Sequence, residues 1–158
     1  MNSIIIFVAK YFFVVSILLV ASYWIRASAS VKIELTWRLA LGGVLAFALA
    51  ALAGHLYFDP RPFVTHHLIP LIPHSRDNGF PSDHALLTAF LGFTMLLYSR
   101  TLGLTLLVVA FLVGTARVAA HIHNPRDIVA SFVIAALAVA LTQLLSHRWN
   151  GRRTAKGH

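Results

Sequence analysis

Five apolar runs separated by polar breaks set the plan of the chain. The first, residues 4–25, is interrupted mainly by Lys10 and a few small polar residues. About 20 apolar residues are enough for a helix to cross a bilayer, and this run is that long. Residues 26–38 carry Arg26, Lys32, Glu34 and Arg38 and read as a short polar connector. In the second run, residues 37–58, Gly42, Ala46, Ala50 and Gly54 recur every fourth position. That spacing gives the helix one small face against which another helix can pack closely. Residues 59–82 break the pattern, and Pro60, Pro62, Pro70, Pro73 and Pro81 argue against a continuous helix there. Within this break, residues 63–72 read as a short interfacial segment. Residues 83–99, 102–121 and 125–146 supply three further runs, and residues 147–158 form a basic polar tail expected to fray. The pattern predicts an all-α integral membrane protein, a bundle of about five transmembrane helices forming one domain over residues 1–158.

Composition agrees with that plan. Of 158 residues, 58% are hydrophobic and 11% are charged, against about 25% charged in a soluble domain. Cysteine is absent, which removes disulfides and thiolate chemistry. The net charge of +8 flanks the apolar runs, which points to membrane orientation and anionic headgroups and away from nucleic acid. Five spans put Arg26, Lys32, Arg38, Arg100, Arg148, Arg152, Arg153 and Lys156 on one side, with Trp24, Trp37 and Trp149 at the same boundary. Arg61, Arg76, Arg117 and Arg126 fall on the other. The positive-inside rule makes the first side cytoplasmic and holds the C-terminus there. Ala27-Ser28-Ala29 looks like a leader cleavage site, but residues 1–6 carry no positive charge and the run is long for a signal peptide, so it reads as a retained span.

Chemistry gathers at the ends of the runs that face the other way. Residues 116–127 read A-R-V-A-A-H-I-H-N-P-R-D and place Arg117, His123 and Asp127 as R-x5-H-x3-D. An arginine can fork two N–H bonds onto a phosphate. A histidine can become a nucleophile when a carboxylate holds its other ring nitrogen. Ionisable groups in such apolar surroundings are costly, which makes them functional candidates. Arg61-Pro62 and Pro81-Ser82-Asp83-His84 stand at the edges of the same face. Together these three stretches resemble the signature of the type 2 phosphatidic acid phosphatase superfamily, whose motifs read K-x6-R-P, P-S-G-H and S-R-x5-H-x3-D. Three positions depart from it: Gly54 stands at the motif lysine, Asp83 at the glycine and Ala116 at the serine.

The resemblance implies an active site at the outer membrane–water boundary with the following roles. His123 attacks phosphorus and becomes a phosphohistidine. Asp127 holds its ring. His84 protonates the leaving oxygen and then activates water. Arg61, Arg117 and Ser82 bind the phosphoryl oxygens, and the helix N-terminus at Ser82 faces the same anion. No cofactor or metal is implied, because arginines supply the positive charge. Asp83 adds a negative charge beside an anion site and is expected to pair with an arginine or to position His84. The P-S-D-H variant with R-P-F resembles the bacterial undecaprenyl-diphosphatases linked to bacitracin resistance. This implies a polyprenyl diphosphate, or another lipid phosphate, as substrate in the bacterial cytoplasmic membrane.

Simpler readings stand beside these. Asn124-Pro125-Arg126-Asp127 is also a helix start, with an N-cap, a proline at N1 and an acid at N3. Ser82 reads equally as an N-cap, and Arg61 and Arg117 as boundary anchors. His121, four residues from Arg117, reads as a boundary histidine. His66, His67 and His74 lack the companions of a metal site and read as interfacial. A non-catalytic lipid-diphosphate binder is the alternative from another class. A transporter is disfavoured by the lack of a repeat.

Overall fold

The computed structural model describes the backbone of residues 2–155 and the side chains of residues 2–146. Tail side chains from His147 onward, including Arg148, Trp149, Arg152, Arg153 and Lys156, lie outside the described residues. Six helices form in chain order: α1 Asn2–Arg26, α2 Ala29–Leu56, α3 Pro62–Thr65, α4 Asp83–Leu96, α5 Arg100–Ala119 and α6 Pro125–Ala155. Four are long and apolar enough to cross a membrane, namely α1, α2, α5 and residues Pro125–Ser146 of α6. The all-α bundle expected from the hydropathy pattern is therefore present.

Three elements differ from the expected boundaries, one of them α6, which runs on past residue 146 to Ala155 where a frayed tail was expected. The polar connector is nearly absent, because α2 begins at Ala29. Residues 29–38 contain no proline or glycine, Leu35 is fully buried, and Glu34 accepts from Arg38 at 2.9 Å one turn on. Arg38 is itself turned inward, where it also donates to Gln143 and to Ser146 of α6. The third expected span is α4, with 14 residues. At 1.5 Å per residue it is about 21 Å long, shorter than a hydrocarbon core of about 30 Å. Pro81 blocks its extension upstream, and the turn at residues 97–99 ends it.

α4 makes up for its length by its position, since most of its residues are buried. Leu86, Ala89, Phe90, Leu91 and Met95 form a core with Leu35, Ala46 and Ala50 of α2, Leu106 and Ala110 of α5, and Ile134, Ala135 and Ala138 of α6. The small face of α2 works as its spacing predicts. A Cβ added at Gly42 would lie 2.9 Å from the Phe90 ring and 3.2 Å from Thr142 Oγ1, so glycine here sets how closely α2 approaches both α4 and α6. Beside α4, between α1 and α2, lies an apolar groove of about 520 Å³ lined by Ile17, Val20, Trp24, Leu39, Leu87 and Leu91.

Residues 59–82 form the lid of the bundle. Phe63 and Ile72 are buried against Ala9 of α1, Ala116 of α5, and Ala120 and Ile122 just beyond it. Backbone bonds from Phe63 N to His121 O (3.2 Å) and from Leu71 N to Ala120 O (3.1 Å) fasten the segment to the end of α5. The segment is packed at its two ends, Phe63 and Ile72, while residues 65–69 between them, Leu68 and Ile69 included, are exposed as an interfacial segment would be, and α3 is only one turn of it.

Candidate active site

The site begins at the end of α5. His121 adopts φ 62°, the left-handed position that usually falls to glycine. Its N–H donates to Val118 O at 2.9 Å, and the Ile122 N–H donates to Arg117 O at 3.3 Å. These two bonds close the helix as a Schellman motif, and no glycine in the sequence announces it. The turn aims Ile122 O and the His123 ring back into the bundle, toward Arg117 one and a half turns behind.

Four charged or titratable groups then meet out of solvent. Arg61 is 7% exposed, Arg117 5%, His123 2% and Asp127 0%. Arg117 donates from Nη1 to Ala9 O of α1 at 3.1 Å, and its Nη2 lies 3.2 Å from His123 Nε2. Arg61 donates from Nε to Asp77 at 2.9 Å, from Nη1 to Ile122 O at 2.8 Å and from Nη2 to Asn78 O at 3.3 Å. The same Arg61 Nη1 is 3.5 Å from His123 Nε2. These are designed-looking constraints on two cations, which a snorkelling arginine would not need.

The partners fix the His123 tautomer. Nδ1 faces two acceptors, Gly79 O at 2.9 Å and Asp127 Oδ2 at 3.3 Å, so it carries the proton. Nε2 faces only donors, so it keeps its lone pair. Burial, then the charges of Arg117 and Arg61, push the His123 pKa down to about 2. The ring is neutral at physiological pH, and its free lone pair sits between two guanidiniums. Such a group can attack an electrophile that brings negative charge with it.

Asp127 serves two purposes at once. Its Oδ2 accepts the Asn124 N–H at 2.7 Å, as an N3 acid does in a capping box, and it also faces His123. The Asn124 side chain turns away to Pro60 O.

Ser82 is fully buried at the N-cap of α4, yet its hydroxyl makes no capping bond and has no partner among the described residues. What holds Ser82 is Ser131 of α6, which the sequence reading missed. Ser131 Oγ accepts from Ser82 N at 3.0 Å and lies 2.9 Å from Ser82 O and 2.8 Å from Asp127 O. It thereby ties the start of α4 to the start of α6. A serine inside an apolar run gives little signal in one sequence. His84 is half-buried in the first turn of α4, its ring edge-on to Phe13 of α1 at 4.9 Å. Asp83 is exposed and, among the described residues, forms neither the expected ion pair nor a hydrogen bond. It lies in the first turn of α4, where a carboxylate complements the helix dipole.

Gly54 has a structural reason. A Cβ there would lie 2.8 Å from Phe80 O. Asn78 also donates to Gly54 O at 2.8 Å. The residues leading into Ser82 thus occupy the space where a lysine side chain would start. Nearby, Arg126 grips both oxygens of buried Asp59 at 2.5 and 2.7 Å, pinning the start of the lid to α6. His74, read as interfacial, instead comes to the site with its ring 6.4 Å from that of His123.

Known proteins resemble the chain in sequence and in fold. The chain is 30% identical over 135 residues to undecaprenyl-diphosphatase BcrC of Bacillus subtilis (strain 168), covering 85% of this chain and 69% of the relative. Its fold matches the crystal structure of Aquifex aeolicus LpxE with a TM-score of 0.73 at 20% identity, over 90% of this chain and 84% of that one. It also matches the PAP2-type phosphatidylglycerolphosphate phosphatase of Bacillus subtilis with a TM-score of 0.62 at 16% identity, over 93% and 77%. The family model described as PAP2 superfamily matches residues 34–151, a stretch that holds Arg61, Ser82, His84, Arg117, His123 and Asp127. By sequence as well as by fold, the chain belongs to the PAP2 superfamily and is a multi-pass membrane lipid phosphatase of that type.

Proposed function

We propose that the protein is a single-domain undecaprenyl-diphosphate phosphatase acting through a phosphohistidine. The observation that carries the mechanism is the polarity of His123, with Nδ1–H held by acceptors and the Nε2 lone pair beside Arg61 and Arg117. Nε2 attacks the terminal phosphorus, and the P–O bond to undecaprenyl phosphate breaks. His84 gives its proton to the leaving oxygen. Asp127 stabilises the imidazolium that forms, while Arg61, Arg117 and the unpaired Ser82 hydroxyl bind the equatorial oxygens. Water then loses a proton to His84 and attacks phosphorus; the P–O bond forms as the P–Nε2 bond breaks, which yields inorganic phosphate and restores His123. Asp83, exposed in the first turn of α4, adds its negative charge to the field at Arg117.

The substrate rests on likeness to the Bacillus subtilis undecaprenyl-diphosphatase, supported by the groove between α1 and α2. Leu87 of that groove follows His84 by three residues on α4, so a prenyl tail there keeps its headgroup near the site. The flanking charge supports a site on the outer side of a bacterial cytoplasmic membrane, by the positive-inside rule. Phosphate release by the purified protein in detergent with EDTA tests the reading, with undecaprenyl diphosphate, phosphatidylglycerol phosphate and a lipid A phosphate compared. Fastest release from undecaprenyl diphosphate is expected. Preference for either of the others would replace the substrate, and no release from any of them would leave a lipid-diphosphate binder.

A further inference from the structure

His74 is exposed, yet it is held in place from both sides. Two residues before it, Ile72 is buried against Ala9, Ala116 and Ile122. Beyond it, Ser75 donates to Asp77 at 2.7 Å, and Asp77 accepts from Arg61 at 2.9 Å. Gly79 then accepts from the His123 ring. Between these anchors the His74 ring meets the His123 ring at 72°, with centroids 6.4 Å apart. The charges facing it come from each element around the pocket: Arg61 before α3, Arg117 of α5 and Asp77 of its own segment, together with His123 and with His84 of α4.

We propose that His74 is a substrate-contacting residue that supplies the third positive charge of the phosphate pocket once a diphosphate is bound. This rests on the phosphatase reading above. The pocket has two fixed cations, and Arg61 already shares its charge with Asp77. The position of the motif lysine is taken up by the close approach of Phe80 O to Gly54, so charge for a second phosphate has to enter from the lid. Without a diphosphate, partial shielding of the ring from solvent, then the charges of Arg61 and Arg117, lower the His74 pKa from its usual 6.5. A bound diphosphate reverses the sign of that field and draws a proton onto the ring. His74 is then a cation only when the anion is present. This avoids the repulsion of three permanent charges in the empty site.

The test is the pH dependence of KM and kcat for undecaprenyl diphosphate in the wild type, His74→Ala and His74→Lys, with melting temperature as the control for folding. In the wild type, KM rises as pH increases from 6 to 8.5 and the bound-state proton is lost. His74→Ala raises KM about tenfold at pH 6.5, the worth of one charge-assisted hydrogen bond, changes kcat little and flattens the His74-dependent part of the KM profile. His74→Lys, a permanent cation, restores a low KM at pH 8. The proposal is overturned if His74→Ala keeps the wild-type KM within twofold at every pH. It is also overturned if kcat falls while KM stays constant, which would make His74 a proton donor. Failure of the wild type to release phosphate from any lipid overturns the phosphatase reading itself, a result distinguishable from either of these.

Discussion

Arg117 Nη2 lies 3.2 Å from His123 Nε2, while Nη1 of the same guanidinium is tied to the Ala9 carbonyl at 3.1 Å. One arginine therefore joins α1, α5 and His123 Nε2. A lysine cannot do both, because its ammonium is a single point of charge on a flexible stem. Arg117→Lys is expected to lower kcat/KM by about a hundredfold or more while the protein still folds, as checked by phosphate release and size-exclusion profile. Activity within threefold of the wild type would mean that charge alone is needed there.

Gly54 gives a prediction against intuition. Restoring the family's motif lysine should not improve the enzyme. Any side chain at position 54 pushes against Phe80 O and displaces the segment that delivers Ser82. Gly54→Lys and Gly54→Ala should both lower melting temperature and activity. Gain of activity in Gly54→Lys would show that the segment yields and that the extra cation outweighs the strain.

Ser82 and Ser131 should separate stability from chemistry. Ser131→Ala leaves the Ser82 N–H without its acceptor, a loss of about 1–3 kcal/mol, seen as an earlier thermal transition. Ser82→Ala removes a buried hydroxyl that has no partner among the described residues, so the transition should move little while phosphate release falls. The reverse pattern would assign the capping role to Ser82 after all.

Much of this site was legible in the sequence because its chemistry is bound to spacing. R-x5-H-x3-D carries Arg117, His123 and Asp127 around the end of one helix and into the next, so their convergence needs only that turn. The turn itself was not legible, since His121 occupies a position that glycine usually marks. The small face of α2 was readable from its four-residue period, but the start of α2 was not: the charges of residues 26–38 look like a connector until Arg38 is seen turned inward to Glu34, Gln143 and Ser146. Ser131 and His74 were missed for a related reason. Ser131 bonds to Ser82, 49 positions away, and the His74 ring meets that of His123, on the far side of α4 and α5 in the chain. A single sequence carries no periodicity that links them.

Acid should destabilise the fold through His123. Its ring is kept neutral in the folded protein with a pKa near 2, against 6.5 for the free side chain. Below pH 6.5 the unfolded chain binds a proton that the folded chain refuses, so stability is fully present above that pH and falls as the pH drops. The slope for one such group is about 1.4 kcal/mol per pH unit. Melting in detergent between pH 7 and pH 4.5 should show the decline, and His123→Gln should make it shallower. An identical slope in the variant would mean that His123 is protonated in the fold.

The covalent intermediate is the most direct test of the mechanism. With undecaprenyl diphosphate labelled at the terminal phosphate, rapid quenching during turnover should trap label on the protein in a bond that acid breaks and alkali spares, as expected of phosphohistidine. The label should map to His123 and vanish in His123→Ala together with phosphate release. Full turnover by His123→Ala, or label that is stable to acid and lies on another residue, would contradict the account.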